Sequence, residues 1–193
     1  VDGGFEVLST EGLSQSGGLD IDAAIVGYLG AVYSARDPGL WARLLRPTTS
    51  AERRANRLLW EDVRTAKEML SRASTTMIHI PLADEDAPLG RDQFEQLARP
   101  ILDATVTATR AAIAAAQVAP AGIFLVGGGS RIPLVATLLH QALGVSPTVV
   151  EQPELVVAQG SLGAADALGS AAAAPMPPVP PVPPVGGAGT SLR

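Results

Sequence analysis

The feature that most restricts what this chain can fold into is a run of three glycines between an apolar segment and a helix-forming segment. The apolar segment is 122–126, the glycines are 127–129, and Pro133 opens the helical segment. Because glycine has no Cβ, ligand atoms can approach its backbone closely, and the amides at a helix start suit a phosphate. Ser130 is placed to cap the helix, and proline is compatible with its first turn. The run therefore predicts either a strand–turn–helix that binds an anionic ligand or a tight turn without one.

Two common phosphate-binding motifs are absent from this segment. No Gly-Lys-Ser/Thr follows the glycines, which excludes a P-loop. The G-x-G-x-x-G spacing fails because Ile132 occupies the last glycine position. No nucleophile-elbow pattern surrounds Ser130, so a hydrolase serine is not expected.

The rest of the chain alternates between helical and extended patterns, which predicts a mixed α/β fold. Thr49 and Glu52 form a capping box that opens a long helix, and Pro100 should kink or split the helix that contains it. The predicted helices are 20–36, 49–72, 91–117, 133–143 and 153–168, and the predicted strands are 4–10, 75–80, 122–126 and 148–150. The predicted buried face of the first helix consists of Ile21, Ile25, Tyr28, Leu29 and Val32.

Several residues that could carry chemistry are better explained as structural. The acidic run at 84–88 lacks the glycine and the later glutamate of a calcium loop, so a solvated turn is expected. His79 and His140 have no spacing that indicates a metal site or a catalytic triad. Trp41 and Trp60 are expected to pack inside the protein, although an exposed tryptophan would suit a partner protein.

The composition is that of a globular domain. Hydrophobic residues make up 47% of the 193 residues and charged residues 17%, enough to form a core. Fourteen Lys and Arg against 19 Asp and Glu leave a net charge of −5, so no nucleic-acid partner is expected. The absence of cysteine excludes disulfides and suits a reducing cytoplasm. The apolar stretches are short or interrupted, so no membrane span is expected.

The last segment, 171–193, has a different composition from the rest. Alternating prolines and valines are followed by glycines, which predicts polyproline II and then a flexible, disordered tail from about residue 174. Such a tail is either a docking motif for a proline-recognising module or a plain spacer.

Several segments resemble motifs of the DnaK-type heat-shock chaperones. Val-Gly-Gly-Gly-Ser-Arg-Ile-Pro at 126–133 is similar to the family's adenosine-binding turn, Val-Gly-Gly-Ser-Thr-Arg-Ile-Pro. Ala-Lys-Glu-Met-Leu-Ser at 66–71 resembles Ala-Lys-Arg-x-Leu-Ser, and Gly-Gly-Leu-Asp-Ile-Asp at 17–22 resembles Gly-Gly-Glu-Asp-Phe-Asp. Pro-Glu-Leu-Val-Val-Ala-Gln-Gly at 153–160 resembles Pro-Asp-Glu-Ala-Val-Ala-x-Gly. The order and separations of the motifs match over about 4–168.

The resemblance implies a fold, a ligand and partners. The fold would be the second lobe of an actin-like ATPase domain, a mixed sheet with helices plus a smaller α/β subdomain. Residues 1–170 would form that lobe, truncated at its N-terminal side, with the smaller subdomain at about 40–89 and a linker or tail at 171–193. The implied ligand is ATP or ADP, with magnesium only in the complete two-lobe domain. A nucleotide-exchange factor or co-chaperone is the implied partner.

The resemblance also assigns nucleotide contacts residue by residue. In the family, the second glycine of Gly-Gly lies against the nucleotide, and the lysine and serine of the helix motif contact the adenosine. These roles fall on Gly18, Lys67 and Ser71. The complete implied set is Gly18, Lys67, Ser71, Gly127, Gly128, Gly129, Arg131, Ile132 and Glu154.

The chain departs from the family pattern at three positions of the implied site. Arg64 replaces an acidic residue, and Glu68 replaces a guanidinium that can stack on the adenine. Glu154 replaces an aspartate and is one methylene longer. On this pattern Arg131 would be the only guanidinium left near the base, and Arg64 and Glu68 could pair with each other at i,i+4 spacing.

The first lobe of the family's ATPase domain has no counterpart in this sequence. That lobe supplies a phosphate loop, a catalytic lysine and carboxylates near the magnesium, and Val1 begins just after the point where a second phosphate loop should end. We therefore expect a fragment with no catalytic residue, no ATP turnover and at most weak adenine-nucleotide binding. The alternatives are a degenerate actin-like binding module that recruits partners through its Pro-rich tail, and an actin-like filament protein.

Overall fold

The computed structural model describes residues 6–153 and 155–161, in which helices alternate with short strands. The helices are α1 Gly18–Arg36, α2 Pro38–Leu45, α3 Ser50–Leu70, α4 Arg91–Ala116 and α5 Pro133–Leu143. The strands are β1 Thr75–Ile80, β2 Glu85–Gly90, β3 Phe124–Leu125 and β4 Thr148–Val149, and a 3-10 turn, Gly128–Arg131, lies between β3 and α5. This mixture of helices and small sheets agrees with the predicted α/β class.

The chain divides into a compact unit that ends at Val157 and a second unit that begins at Ala158. In the second unit, residues 158–161 are described and are helical. The predictions that concern Glu154 and the tail at 171–193 lie outside the described residues.

The α3 helix begins as its capping box predicts. The Thr49 hydroxyl accepts a hydrogen bond from the Glu52 amide at 3.2 Å, and the Glu52 carboxylate accepts from the amides of Thr49 at 3.0 Å and Thr48 at 2.9 Å. These bonds satisfy amides that a helix start leaves without partners. The helix then buries one stripe, which consists of Ala55, Leu59, Val63, Ala66 and Leu70.

The capping box makes part of the stability depend on pH. Hydrogen bonds from the Thr49 and Thr48 amides lower the pKa of Glu52 from 4.5 to about 2. A carboxyl whose folded pKa is depressed stabilises the fold above its unfolded pKa and loses that contribution as the pH falls through the folded value. Glu52→Gln is therefore expected to lower stability at pH 6, and the deficit should shrink between pH 4.5 and 2.

Urea unfolding of the wild type and Glu52→Gln at pH 6 and pH 3 measures this difference. Glu61→Gln is the matched control, because the Glu61 carboxylate is exposed on the same helix and accepts no hydrogen bond from the described part of the chain. A deficit for Glu52→Gln that is as large at pH 3 as at pH 6 would contradict the prediction.

The buried face of α1 differs from the predicted one at Val32. Ile21, Ile25 and Leu29 are buried as expected, but Val32 is exposed and Tyr33 is buried in its place. α2, α3 and α4 all pack against α1. Both tryptophans pack on the core as expected, with Trp41 buried and Trp60 partly buried.

β1 has its predicted bounds, β3 and β4 are shorter than predicted, and the predicted strand at 4–10 does not form over its described residues, 6–10. β1 pairs with β2 in an antiparallel hairpin, and β3 pairs with β4 in parallel. Residues 6–10 belong to no strand, because no neighbouring segment of the described chain pairs with them. The predicted turn at 84–88 was wrong: the turn ends at Asp84, and β2 carries Pro88, which a two-stranded hairpin tolerates because both of its strands are edges.

The helix that contains Pro100 is not split. α4 is one continuous helix on both sides of Pro100. Phe94, Ala98 and Leu102 are buried on one face of α4, on both sides of Pro100. The hydrogen bond that proline cannot donate is lost on an exposed surface, where its cost is smallest.

Candidate functional site

A cavity of about 1010 Å³ lies where the start of α1, the C-terminal half of α3 and the 3-10 turn meet. These three segments are distant in the sequence and supply most of the predicted nucleotide contacts. Seven of the nine predicted residues line the cavity: Gly18, Lys67, Ser71, Gly128, Gly129, Arg131 and Ile132. Gly127 precedes the lining segment, and Glu154 is outside the described residues.

The start of α1 brings its backbone close to Lys67. The Asp20 carboxylate accepts a hydrogen bond from the Gly17 amide at 2.8 Å and so fixes the first turn. Gly18 follows, and its carbonyl oxygen accepts a hydrogen bond from Lys67 Nζ at 3.0 Å. A Cβ on Gly18 would lie 3.2 Å from the same nitrogen, which is tighter than ordinary contact. Glycine at this position therefore lets the ammonium reach the helix backbone.

The α3 helix presents Lys67 and Ser71 on one side, because residues four apart in a helix are neighbours. The Ser71 hydroxyl donates to the Glu68 carbonyl at 2.6 Å, which leaves its oxygen able to accept a hydrogen bond. Lys67 is 13% exposed at its side chain, although it lines the cavity. The helix thus supplies one partly buried ammonium and one hydroxyl to the same wall.

A buried carboxylate stands behind the lysine. Asp22 is 1% exposed, and Lys67 Nζ lies 2.7 Å from Asp22 Oδ1. The angles of this contact do not meet hydrogen-bond geometry. Asp22 Oδ1 therefore forms an ion pair with Lys67 but accepts no hydrogen bond from the described residues. Asp22 was not among the residues predicted for the site. The signal that could have found it is an aspartate at a core-facing position of α1, between the buried Ile21 and Ile25.

The 3-10 turn is shaped by Gly127 and Ser130. Gly127 has a φ of 82°, which favours glycine, and its amide donates to the Pro153 carbonyl at 2.7 Å. The Ser130 hydroxyl donates to the Gly127 carbonyl at 2.7 Å and therefore closes the turn. The prediction that Ser130 caps α5 was wrong, because the residue before that helix is Ile132 and no side chain caps it.

The charges around the cavity differ from the sequence expectation. Arg64 does not pair with Glu68 in the described structure; its Nε lies 4.0 Å from Asp22 Oδ2 instead. Arg64 and Arg72 line the same cavity as Arg131. Among the described residues that line the cavity, three carry a guanidinium group, one an ammonium group and two, Asp22 and Glu68, a carboxylate.

The two histidines have local partners. His79 Nδ1 lies 3.1 Å from Asp86 Oδ1 across the β1–β2 hairpin, and His140 Nδ1 lies 3.3 Å from the Ser146 hydroxyl. Across residues 6–153 and 155–161, no group of three or more His, Asp or Glu side chains could hold a metal ion. Within those same ranges, no helix is both long enough and apolar enough to span a bilayer.

Comparison with known proteins gives concordant matches. The family model described as Hsp70 protein matches residues 1–174. A chaperone protein HscA homolog of Burkholderia cenocepacia is 36% identical over 172 residues, which cover 86% of this chain and 26% of that protein. The homologs of Burkholderia multivorans and Burkholderia pseudomallei are 36% and 35% identical over the same coverage. The chain therefore spans about a quarter of the length of these curated relatives.

Proposed function

The chain belongs to the Hsp70 family, and from that premise we propose that it is the adenine-nucleotide-binding half of a DnaK-like chaperone ATPase. In this proposal the chain is the second lobe of an actin-like nucleotide-binding domain. The observation that carries it is the cavity in which three distant segments meet, at residues 18–22, 64–73 and 128–132. Each segment overlaps one of the motifs that resemble the DnaK-type chaperones.

The conformation of the 3-10 turn supports a ligand at this place. Gly128 and Gly129 have no positive φ, and a Cβ on either would meet no atom within 4 Å. Neither backbone strain nor packing within the described protein therefore requires glycine at these two positions. A bound molecule that lies close to the backbone would require glycine at both positions.

The groups in the cavity suit the adenosine end of a nucleotide. The Lys67 ammonium and the Ser71 hydroxyl offer hydrogen bonds to ribose and base, and the planar guanidinium of Arg131 suits stacking on an aromatic base. ATP or ADP is the proposed ligand. The described residues do not fit a protein-held magnesium ion, since no carboxylate cluster is present among them. Magnesium belongs in this proposal to the complete two-lobe domain.

The proposal extends to organisation and partners. It includes a smaller subdomain at about 40–89, a linker or tail at 171–193, a cytoplasmic location and contact with a nucleotide-exchange factor or co-chaperone. Without the first lobe, the chain alone should not hydrolyse ATP, since phosphoryl transfer depends on groups that position the phosphates. Neither the described residues nor the comparisons support the alternative of a module that recruits partners through its tail.

Titration of adenosine, ADP and ATP into the 193-residue chain, followed by NMR, tests the proposed function. We expect weak binding with affinities within about tenfold of one another, because in this proposal the first lobe supplies the contacts to the phosphates. If this chain held a phosphate by even one charge-assisted hydrogen bond, that bond would add about 1.5–3 kcal/mol and the affinities would differ by more than tenfold. Shifts should be confined to residues around the cavity. Submicromolar ATP binding or measurable turnover would contradict the proposal, as would the absence of any nucleotide-dependent shift.

Gly129→Ala provides the matched variant for this titration. The added methyl has free space, so the thermal midpoint should not fall, but it occupies the surface that the nucleotide would approach. Binding should weaken in Gly129→Ala and stay unchanged in the control Ser74→Ala, because Ser74 is exposed and outside the cavity. Equal affinities in the wild type and Gly129→Ala would place the nucleotide elsewhere.

A further inference from the structure

We propose that Asp22 positions Lys67 for the ligand, so that nucleotide binding depends on the Asp22 carboxylate although Asp22 does not reach the nucleotide. The inference deepens the proposed function and rests on it. It concerns a buried charge on α1 that acts through a second residue on α3.

The burial of Asp22 and its distances to two cations carry the proposal. Its side chain is 1% exposed in a face of α1 that is otherwise apolar. A carboxylate in such a place is costly unless a cation compensates it. Lys67 Nζ at 2.7 Å and Arg64 Nε at 4.0 Å are the cations within ion-pair distance, and both belong to α3. Asp22 therefore links α1 to α3, which form two walls of the cavity.

Two contacts on different turns of α1 restrict the Lys67 ammonium. One of its three N–H bonds goes to the Gly18 carbonyl at 3.0 Å, and its charge faces Asp22. An unrestrained lysine side chain has four rotatable bonds and loses rotamer entropy when it is fixed. Here that loss occurs on folding, before a ligand arrives, and preorganisation of this kind increases affinity.

Stability alone does not explain why a charged pair occupies this place. Replacing a buried ion pair with well-packed apolar residues is often neutral or stabilising. The nearest neighbours of Asp22 on the buried face, Ile21, Ile25 and Val26, are apolar. A carboxylate at this position instead gives a defined location to an ammonium that lines the cavity.

The sequence offers a direct probe of this arrangement. Lys67 is the one lysine in the 193-residue sequence, the other basic residues being arginines. Lysine labelled with ¹³C therefore gives one set of side-chain NMR signals, and the relaxation of its Cε reports how firmly the ammonium end is held. This readout needs no ligand.

The experiment uses the 193-residue chain as wild type, Asp22→Asn, Lys67→Met and the double variant, with ADP as the ligand. Asp22→Asn should weaken ADP binding by about tenfold or more, the value of one hydrogen bond to a charged group. Its Lys67 Cε should also become as mobile as that of an exposed lysine. Because Asp22 acts through Lys67, Asp22→Asn should cause no further loss in the Lys67→Met background. The control Asp103→Asn removes an exposed charge on α4 and should change neither readout.

Other results would overturn either the positioning role of Asp22 or the proposed function. Wild-type ADP affinity in Asp22→Asn, or losses that add in the double variant, would overturn the positioning role while the proposed function stands. If the wild type binds no ADP, the proposed function fails, and the positioning role toward this ligand fails with it. In that case a Lys67 Cε whose order still depends on Asp22 would show the ion pair to be structural only. If Asp22→Asn does not fold, the wild type alone still tests the proposal. A Lys67 Cε that is mobile in the wild type before ADP is added would overturn it.

Discussion

Lys67→Met is expected to lower the free energy of unfolding by about 3 kcal/mol, because it leaves the Asp22 carboxylate buried without its closest cation. Breaking a buried pair by removing one partner costs about 3–5 kcal/mol. The lower end applies here, since the Arg64 guanidinium remains 4.0 Å from Asp22 and is itself 60% exposed to water. Urea unfolding at neutral pH measures the loss.

Two comparison variants separate charge burial from the loss of lysine packing. Adding Asp22→Asn to Lys67→Met removes the buried charge and should restore most of the lost stability. Arg99→Met also replaces a long cation with methionine, but at an exposed position of α4, and should stay within about 0.5 kcal/mol of the wild type. A double variant as unstable as Lys67→Met would show that the cost does not come from the Asp22 charge.

Gly30→Ala is expected to destabilise the chain by about 1–3 kcal/mol or more, because the new methyl has no room. A Cβ on Gly30 would lie 2.6 Å from Trp41 Nε1 and 3.1 Å from Trp41 Cε2. Trp41 cannot easily give way, since it is buried and its ring stacks on Tyr33 with centroids 6.0 Å apart. Thermal and urea unfolding measure the effect.

The same substitution three residues earlier is the control. Gly27 is exposed on α1, and a Cβ there meets nothing within 4 Å, so Gly27→Ala should stabilise by up to about 1 kcal/mol through helix propensity. Trp41→Phe in the Gly30→Ala background removes the indole nitrogen that the methyl would strike and should recover part of the loss. Equal stability of the two alanine variants would contradict the close packing of α1 against α2.

Local structure was predictable because it depends on residues a few positions apart. The capping box at Thr49, the start of α5 at Pro133 and strand β1 all appear where the sequence predicted them. Caps, helix periodicity and proline each act within about four residues, so no knowledge of the fold was needed. The resemblance to the DnaK-type chaperones likewise depends on short motifs, and the match to the Hsp70 family confirms it.

Pairing and burial were not predictable from the same signals. An extended pattern at 4–10 predicted a strand, but a strand forms only beside a partner, and residues 6–10 have none in the described chain. Arg64 and Glu68 have the spacing of a helix ion pair, yet Arg64 lies near the deeply buried Asp22 instead. A buried carboxylate in weakly screened surroundings attracts a cation more strongly than an exposed one does.

The sequence alone thus predicted α1, α3, α4 and α5, the Thr49 capping box, the glycine turn and the family, but it did not predict α2 or the missing side-chain cap of α5. The burial of Asp22, the position of Lys67 between Asp22 and the Gly18 carbonyl, and the shared cavity of the three motifs depend on the packed fold. The reason is distance along the chain. Gly18 and Lys67 are 49 residues apart, and their contact exists only after α1 and α3 have packed together.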